Sequence, residues 1–286
     1  MLRIAVPNKG ALGDPAKTML QEAGYLRANI SRELVVHDPV NDIDFFFLRP
    51  RDVAIYVGAG KLDLGITGKD MLLDSGAKAK AVLGLGFAPS TFRLAVPEAD
   101  AAAGVKTIKD LSGKRIATSY VGLLNERLAG AGVEAEVIKL DGAVENSVAL
   151  GVADAVADVV DTGATLRKAG LVVIDEPLLE SEALLIAPEA ADEGNGEVET
   201  FVRRIEGVIA ARKYVLVDYD IPVDLVEKAT AITPGFESPT VSSLQDASWA
   251  AVRAMVPKAD LHPVMDDLYA LGARGILVTD ILATRL

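Results

Sequence analysis

Short apolar runs, which are typical of β-strands, alternate with amphipathic segments, which are typical of α-helices, along the first part of the chain. A run at residues 2–6 predicts the first strand, and residues 15–24 predict a helix that ends at Gly24. Residues 34–48 hold an Asp-Pro/Asn-Asp turn between two apolar runs, so they predict two strands. A helix, a strand and a helix are then predicted at residues 52–60, 62–67 and 69–76. This order is typical of an α/β fold.

A second α/β series begins near Arg93. Strands are predicted at residues 92–96, 115–119, 135–140, 155–160 and 171–175, and helices at residues 123–132 and 144–151. Two α/β lobes in tandem favour a cleft between them, where small ligands tend to bind in such proteins.

The pattern changes after a polar stretch at residues 187–200, which we interpret as an exposed loop leading into a helix at residues 198–213. From there the predicted order is β-α-β-β-α-β, at residues 214–220, 223–230, 240–244, 249–256, 263–272 and 275–280. This is the split arrangement of ferredoxin-like domains. We therefore predict three parts: lobe I (residues 1–92 plus 182–212), lobe II (residues 93–181) and a small C-terminal domain (residues 213–286).

The amino-acid composition excludes several kinds of catalytic site, metal site and partner. The chain has 286 residues and no cysteine, so disulfides, thiolate catalysis and Cys-based metal sites are excluded. Only His37 and His262 offer imidazole, and they lack the spacing of a transition-metal motif, so we interpret both as structural or surface residues. The net charge of −12 argues against a nucleic-acid partner. No apolar run approaches the roughly 18 to 20 residues of a membrane span, and no signal-peptide pattern is visible, so we expect a cytoplasmic protein.

One short stretch, "DVVDTGATL" at residues 158–166, stands out chemically. An apolar strand passes into a turn rich in Thr and Gly just before a predicted helix, where backbone N–H groups and hydroxyls can surround a phosphate. The Asp residues would repel a phosphate unless they face a ribose hydroxyl or a magnesium ion, so a phosphorylated sugar is the ligand that suits the whole turn. An ordinary turn in which Asp161 or Thr165 caps the helix explains the same residues.

This stretch and three others resemble the long-form ATP phosphoribosyltransferase family, the first enzyme of histidine biosynthesis. The matching segments are "RIAVPNKGAL", "FFFLRPRDVAIYVGAGKLDLGITGKDML", "LDGAVENSVALGVADAVADVVDTGATL" and "ATAITPGFESPTVSSL". The likeness covers essentially the whole chain. It implies two lobes of the periplasmic-binding-protein type followed by a ferredoxin-like, ACT-like regulatory domain, in agreement with the α/β pattern above.

The resemblance also implies roles for individual residues. The loop of Asp161, Thr162, Gly163, Ala164, Thr165 and Leu166 holds the 5-phosphate of phosphoribosyl pyrophosphate, and Glu145 and Asp158 lie near the ribose and the metal. The implied catalytic residues are Lys9, Arg49, Glu145, Asp158 and Asp161. The implied nucleotide contacts are Lys9, Arg49, Gly68, Asp70, Thr118, Ser119 and Tyr120. As isolated residues, Lys9 and Arg49 also suit solvated surface positions, and residues 118–120 suit helix caps.

By the same resemblance, N1 of the adenine of ATP displaces pyrophosphate from phosphoribosyl pyrophosphate with the help of Mg²⁺, and L-histidine inhibits through the C-terminal domain. The implied effector contacts are Asp218, Ser238, Thr240 and Ala273. A homo-oligomer between dimer and hexamer is implied as well. A cytosolic two-lobed small-molecule sensor with an amino-acid-binding domain is the alternative, because a fold does not fix a function.

Overall fold

The computed structural model describes residues 1–26, 33–160, 163–191 and 194–285. Its strands are β1 (Leu2–Pro7), β2 (Val35–Asp38), β3 (Ile43–Leu48), β4 (Leu64–Gly68), β5 (Ala79–Gly84), β6 (Ser90–Pro97), β7 (Arg115–Thr118), β8 (Glu136–Lys139), β9 (Ala155–Val160), β10 (Leu171–Ser181), β11 (Ala183–Pro188), β12 (Tyr214–Pro222), β13 (Thr240–Ser243), β14 (Trp249–Pro257) and β15 (Arg274–Asp280). Its α-helices are α1 (Gly13–Glu22), α2 (Pro50–Gly58), α3 (Lys69–Ser75), α4 (Glu98–Ala102), α5 (Val121–Ala131), α6 (Asn146–Ala149), α7 (Ala164–Lys168), α8 (Gly196–Lys213), α9 (Val226–Ile232) and α10 (Leu261–Leu271).

The chain forms two compact units. The first comprises Met1–Thr18 and Tyr25–Val198, and the second comprises Met19–Gly24 and Glu199–Leu286. Within the described residues, no helix combines the length and the apolar character that a membrane crossing needs.

The first unit contains two sheets, and the chain crosses between them twice. The first sheet has the order β2-β3-β1-β4-β11-β5, and the second has the order β10-β6-β9-β7-β8. The chain enters the second sheet between β5 and β6 and returns between β10 and β11. In each sheet the central strands run parallel: β1 pairs with β3 and β4, and β7 pairs with β8 and β9. Their carboxyl ends therefore lie at one edge of each sheet, where ligands bind in α/β folds.

Helices pack on these sheets through apolar side chains. In lobe I, α2 buries Val53, Ala54 and Val57 against the first sheet. Gly65 of β4 permits this approach, because a Cβ there would lie 2.6 Å from Val53 Cγ1. In lobe II, Leu123, Leu124 and Leu128 of α5 join the buried cluster of the second sheet. Each fully buried leucine contributes about 1.5 to 3 kcal/mol to folding, so these helices are firmly attached.

The second unit contains α8 and a four-stranded sheet of order β13-β14-β12-β15. All neighbouring strands in this sheet are antiparallel. In chain order this is 4-1-3-2, the order of a ferredoxin-like domain. Strand β12 alternates half-buried and buried positions, and its buried residues Val215, Val217, Tyr219 and Ile221 form a core with Ala229 of α9 and Leu268 of α10. The predicted fold class is thus confirmed, and the three-part domain division remains a prediction.

Two strands were not predicted. Strand β11 lies between β4 and β5 in the first sheet, and all but its last residue is buried. Because both of its faces are covered, its sequence shows a continuous apolar run instead of the alternation of a half-exposed strand. Strand β5 is mostly exposed and was missed as well. The helix predicted at residues 144–151 is confined to Asn146–Ala149.

Candidate active site

The carboxyl edge of the first sheet carries cationic residues. Lys9 and Arg49 follow the parallel strands β1 and β3, and a hydrogen bond from Asn8 N–H to the Leu48 carbonyl (2.8 Å) holds these strand ends together. Both side chains are exposed, and neither forms an ion pair with a described residue. Two unpaired cations at this edge are suited to neutralising a polyphosphate.

A cavity of about 520 Å³ lies between the two lobes of the first unit. Its wall is mainly apolar, with polar groups from Asp70, Ser90, Tyr120 and Ser181, and Ser181 is hydrogen-bonded to Asp70. Its lining includes Gly10, Ala11, Leu12, Pro50, Gly68, Asp70, Met71, Pro89, Tyr120, Val159 and Ser181. An apolar slot with a few fixed polar groups is the usual form of a small-molecule site.

Asp70 is held rigidly in this cavity. It is 4% exposed, and its Oδ1 accepts a hydrogen bond from Ser181 Oγ at 2.6 Å. The Asp70 backbone N–H in turn donates to Ser181 Oγ at 3.0 Å. A Cβ at position 68 would overlap Asp70 Oδ1, so only Gly68 allows this carboxylate to fold back over the start of α3. Gly68 and Asp70, which were predicted together as nucleotide contacts, are therefore structurally coupled: the conformation of Asp70 requires a glycine at position 68.

Tyr120 closes the opposite wall of the cavity. Its ring lies 5.7 Å from the Phe92 ring in a tilted arrangement, so it is anchored in the buried core of the second sheet. Burial, together with the nearby Asp70 carboxylate, strongly raises the pKa of Tyr120. A hydrogen bond between the Tyr120 hydroxyl and the Asp70 carboxylate acts in the same direction, so this hydroxyl is directed at Asp70.

Two other residues of the predicted nucleotide group have internal partners. Thr118 is fully buried, and its Oγ1 accepts the Tyr120 N–H at 2.9 Å. Thr118 thus caps the turn that carries Tyr120, and its buried side chain does not face the cleft. Ser119 Oγ accepts a hydrogen bond from Arg51 Nη2 at 3.1 Å.

A second cavity, of about 310 Å³, lies at the carboxyl end of β9. It brings together Glu145, Asp158 and Gly163–Leu166, and it shares Val159 with the apolar cavity. Gly163 has φ 67°, a left-handed conformation that favours glycine, and it directly precedes α7. Thr165 is exposed and Leu166 is buried. The predicted residues Asp161 and Thr162 lie outside the described part of the chain.

Asp158 has unusual electrostatics in this cavity. Burial raises its pKa to about 6, and the like charge of Glu145 acts in the same direction. The Val159 N–H, which donates to Asp158 Oδ1 at 2.8 Å, and the Arg51 charge oppose this shift. No described Lys or Arg forms an ion pair with Asp158 or Glu145. Two unpaired carboxylates at one cavity suit a cationic ligand.

Comparison with known proteins decides the family. The sequence profile of ATP phosphoribosyltransferase matches residues 49–207, and the profile of the C-terminal domain of that enzyme matches residues 211–283. Proteins named ATP phosphoribosyltransferase from Paenarthrobacter aurescens and Kocuria rhizophila are each 58% identical to the chain, and one from Salinispora tropica is 54% identical; each match covers all of both chains. The chain belongs to the ATP phosphoribosyltransferase family.

A solved structure agrees with this membership. A chain of the ATP phosphoribosyl transferase (HisG:HisZ) complex from Thermotoga maritima superimposes with a TM-score of 0.62 at 26% identity. The match covers 72% of this chain and 97% of that one. The chain is accordingly an enzyme, a pentosyltransferase of the first step of histidine biosynthesis. The alternative of a ligand sensor is not supported, because the full-length relatives carry the name of the transferase.

The residues that the ATP phosphoribosyltransferase family implies for histidine lie in the second unit. Asp218, Arg253 and Thr240 are neighbours across β12, β14 and β13, and Arg253 Nε donates to Asp218 Oδ1 at 2.7 Å. Ser238 is exposed just before β13. Ala273 differs: it is fully buried, and its carbonyl accepts a hydrogen bond from Arg274 at 2.7 Å, so its side chain is part of the core.

Sequence reasoning missed two residues at or beside the candidate site. Ser181, which fixes Asp70, is 111 positions away from it, and no local pattern connects them. Arg51 directly follows Pro50 at the start of α2, where an arginine normally indicates only a solvated helix surface. Its partners Asp74 and Ser119 are 23 and 68 positions away, so no local pattern marks Arg51 either.

Proposed function

We propose that the two adjoining cavities of the first unit bind the two substrates of one reaction. Phosphoribosyl pyrophosphate occupies the cavity at Gly163–Leu166, and the adenine of ATP occupies the apolar cavity with Asp70 and Tyr120. The observation that carries this proposal is the shared wall residue Val159, which makes the cavities neighbours. N1 of adenine attacks C1 of the ribose, the bond from C1 to the pyrophosphate oxygen breaks, and pyrophosphate leaves. The products are phosphoribosyl-ATP and pyrophosphate.

The loop at residues 161–166 is proposed to hold the 5-phosphate. The first N–H groups of a helix have no carbonyl partner within it, and Gly163, Ala164 and Thr165 at the start of α7 line this cavity. Thr165 is exposed and can add a hydroxyl donor. Hydrogen bonds to a charged phosphate are worth about 1.5 to 3 kcal/mol each, which suffices to orient the sugar.

Glu145 and Asp158 are proposed to face the ribose and Mg²⁺. Magnesium prefers oxygen ligands and is typically held by one or two carboxylates together with substrate phosphates. The donor set fits: two carboxylates line one cavity, and neither forms an ion pair with any residue that the structure describes. When bound, Mg²⁺ would neutralise charge on the pyrophosphate. The carboxylates themselves favour a ribose that becomes cationic as pyrophosphate departs.

Lys9 and Arg49 are proposed to contact the phosphate chains. They lie at the carboxyl edge of the first sheet, as does Asp70 after β4.

We further propose the three-part domain division stated above and a cytoplasmic location. A homo-oligomer between dimer and hexamer is proposed for the assembled enzyme.

Inhibition by L-histidine is proposed to act through the second unit. Asp218 and Thr240 flank Arg253 on the sheet, and Ser238 lies two residues before Thr240. Carboxylate, hydroxyl and guanidinium groups side by side can pair with both charged ends of an amino acid. Asp218→Ala and Ser238→Ala should retain catalysis and lose inhibition in a histidine titration. Unchanged inhibition in both variants would place the effector elsewhere.

The direct test of the reaction is a pyrophosphate-release assay. Release should require ATP, phosphoribosyl pyrophosphate and Mg²⁺ together, and mass spectrometry should find phosphoribosyl-ATP. Chelation with EDTA should abolish release, and added Mg²⁺ should restore it. Release without ATP, or full activity in EDTA, would contradict the proposed substrate pair or the metal.

A further inference from the structure

Arg51 joins the two lobes of the first unit. It lies in the first turn of α2 in lobe I, and its Nη1 donates to Asp74 Oδ2 of α3 at 2.9 Å. Its Nη2 donates to Ser119 Oγ in lobe II at 3.1 Å. The guanidinium carbon also lies 4.2 Å from the centroid of the Tyr120 ring, within the range of a cation–π contact.

Asp74 extends this connection to α5 of lobe II. Tyr120, at the N-cap position of α5, supplies no side-chain cap to the helix. Asp74 Oδ1 accepts the Leu123 N–H at 3.2 Å. A side chain of lobe I therefore caps a helix of lobe II. The Asp74 carbonyl would overlap a Cβ at position 122, so Gly122 is what lets α3 and α5 approach.

The connection ends in the proposed adenine cavity. Ser119 and Tyr120 form the turn between β7 and α5, and Tyr120 lines the cavity together with Asp70. The Tyr120 ring is therefore held by Phe92 of β6 in the second sheet and by Arg51 of α2 on the first sheet. The spacing of Tyr120 from Asp70 depends on both lobes at once.

We propose that Arg51 is a positioning residue of the transferase: through Asp74, Ser119 and Tyr120 it fixes the β7–α5 turn of lobe II against the Asp70 side of the cleft. The proposal rests on the proposed adenine site. Arginine is required because its planar fork serves a carboxylate, a hydroxyl and a ring face together, which the single ammonium of lysine does not. A misplacement of about 1 Å in such a site can lower activity by about a hundredfold.

The test compares Arg51→Met with a matched control, Arg3→Met. Arg3 lies in the same lobe, has similar exposure (44% against 42%) and pairs with an aspartate, but at the opposite end of β1. Arg51→Met should lower kcat/KM between about tenfold and about a hundredfold, and Arg3→Met should stay within about twofold. Arg51→Lys should recover only part of the loss. Equal effects of Arg51→Met and Arg3→Met, or no effect of either, would overturn the proposal.

A double-mutant cycle separates positioning from direct substrate contact. If Arg51 acts through Asp74, then Arg51→Met, Asp74→Asn and the double variant should lose similar amounts of kcat/KM. Additive losses, with Arg51→Met alone raising the KM for ATP, would mean that Arg51 grips substrate and would overturn the proposal. Gly122→Ala keeps every charge but separates α3 from α5, so it should reproduce the loss if Asp74→Asn fails to fold.

Hydrogen exchange supplies a readout that does not depend on activity. The peptide covering residues 119–124 should exchange faster in Arg51→Met, because the Leu123 N–H loses an oriented acceptor, and it should be unchanged in Arg3→Met. Unchanged exchange in Arg51→Met would overturn the proposal. An inactive wild-type enzyme with the expected exchange pattern would instead count against the proposed reaction alone.

Discussion

Strand β9 of the second sheet has an aspartate near each end, and their surroundings are opposite. Asp154, just before the strand, receives the Arg115 backbone N–H at 2.9 Å, its Nε at 3.2 Å and its Nη2 at 2.8 Å. These bonds lower the pKa of Asp154 to about 2. Asp158, in the second half of the strand, has no ion-pair partner among the described residues, and burial raises its pKa to about 6.

The two aspartates differ in their roles: one stabilises the fold, and the other is suited to a ligand or a transition state. At the amino end, the carboxylate is fully paired, and its charge stabilises the fold. At the carboxyl end, the carboxylate is kept partly buried beside Glu145 and has no ion-pair partner in the described part of the chain. Such an arrangement opposes folding, so a ligand or a transition state is its natural partner. The difference predicts which substitutions change activity and which change stability.

The largest effect is expected on turnover. Asp158→Asn should lower kcat by about a hundredfold, because the carboxylate stabilises charge that develops only in the transition state. Asp154→Asn, four residues earlier, should change kcat by less than about threefold. Steady-state assays with thermal melting in parallel check both variants. Equal losses of kcat, or unfolding of Asp158→Asn, would remove the distinction between the two ends of β9.

The same substitution, Asp158→Asn, is expected to raise stability, and this effect is smaller than the loss of turnover. The pKa of Asp158 is raised in the folded state, so the unfavourable burial of its charge is absent below about pH 3.8 and fully present above about pH 6. Asp158→Asn should therefore gain stability relative to wild type between pH 4 and pH 7, by up to about 3 kcal/mol. Urea unfolding at both pH values measures the gain. A variant that is less stable at pH 7 would show that Asp158 has a structural partner.

The smallest effect is expected at Asp154. Its folded pKa is lowered to about 2, so its contribution to stability is present above about pH 3.8 and is lost as the pH falls through 2. Because the ion pair is about one third exposed, Asp154→Asn should cost about 1 kcal/mol at pH 7. Urea unfolding extended to pH 2 should show this difference vanish there. A difference that persists there would have to come from packing, not charge.

Sequence patterns predicted the two α/β series and the ferredoxin-like domain because each relies on local periodicity. Strand β11 was not predicted because both of its faces are covered within the first sheet, so its sequence does not alternate. The loop before α7 could be predicted because Gly163 and Thr165 lie close together in the sequence. By contrast, Asp70 with Ser181, and Arg51 with Ser119, are brought together only by the two chain crossings, so no local signal marks them.

The central claim is that the carboxyl end of β9 binds phosphoribosyl pyrophosphate. The most direct measurement is calorimetric titration of this ligand into wild type, Thr165→Val and a control, Thr230→Val, whose hydroxyl donates to the Glu227 carbonyl in the second unit. Thr165→Val should raise the Kd between about tenfold and about a hundredfold, since it loses one hydrogen bond to a charged phosphate. ATP affinity and the control should be unchanged. Wild-type affinity in Thr165→Val, or an equal loss of ATP affinity, would contradict the account.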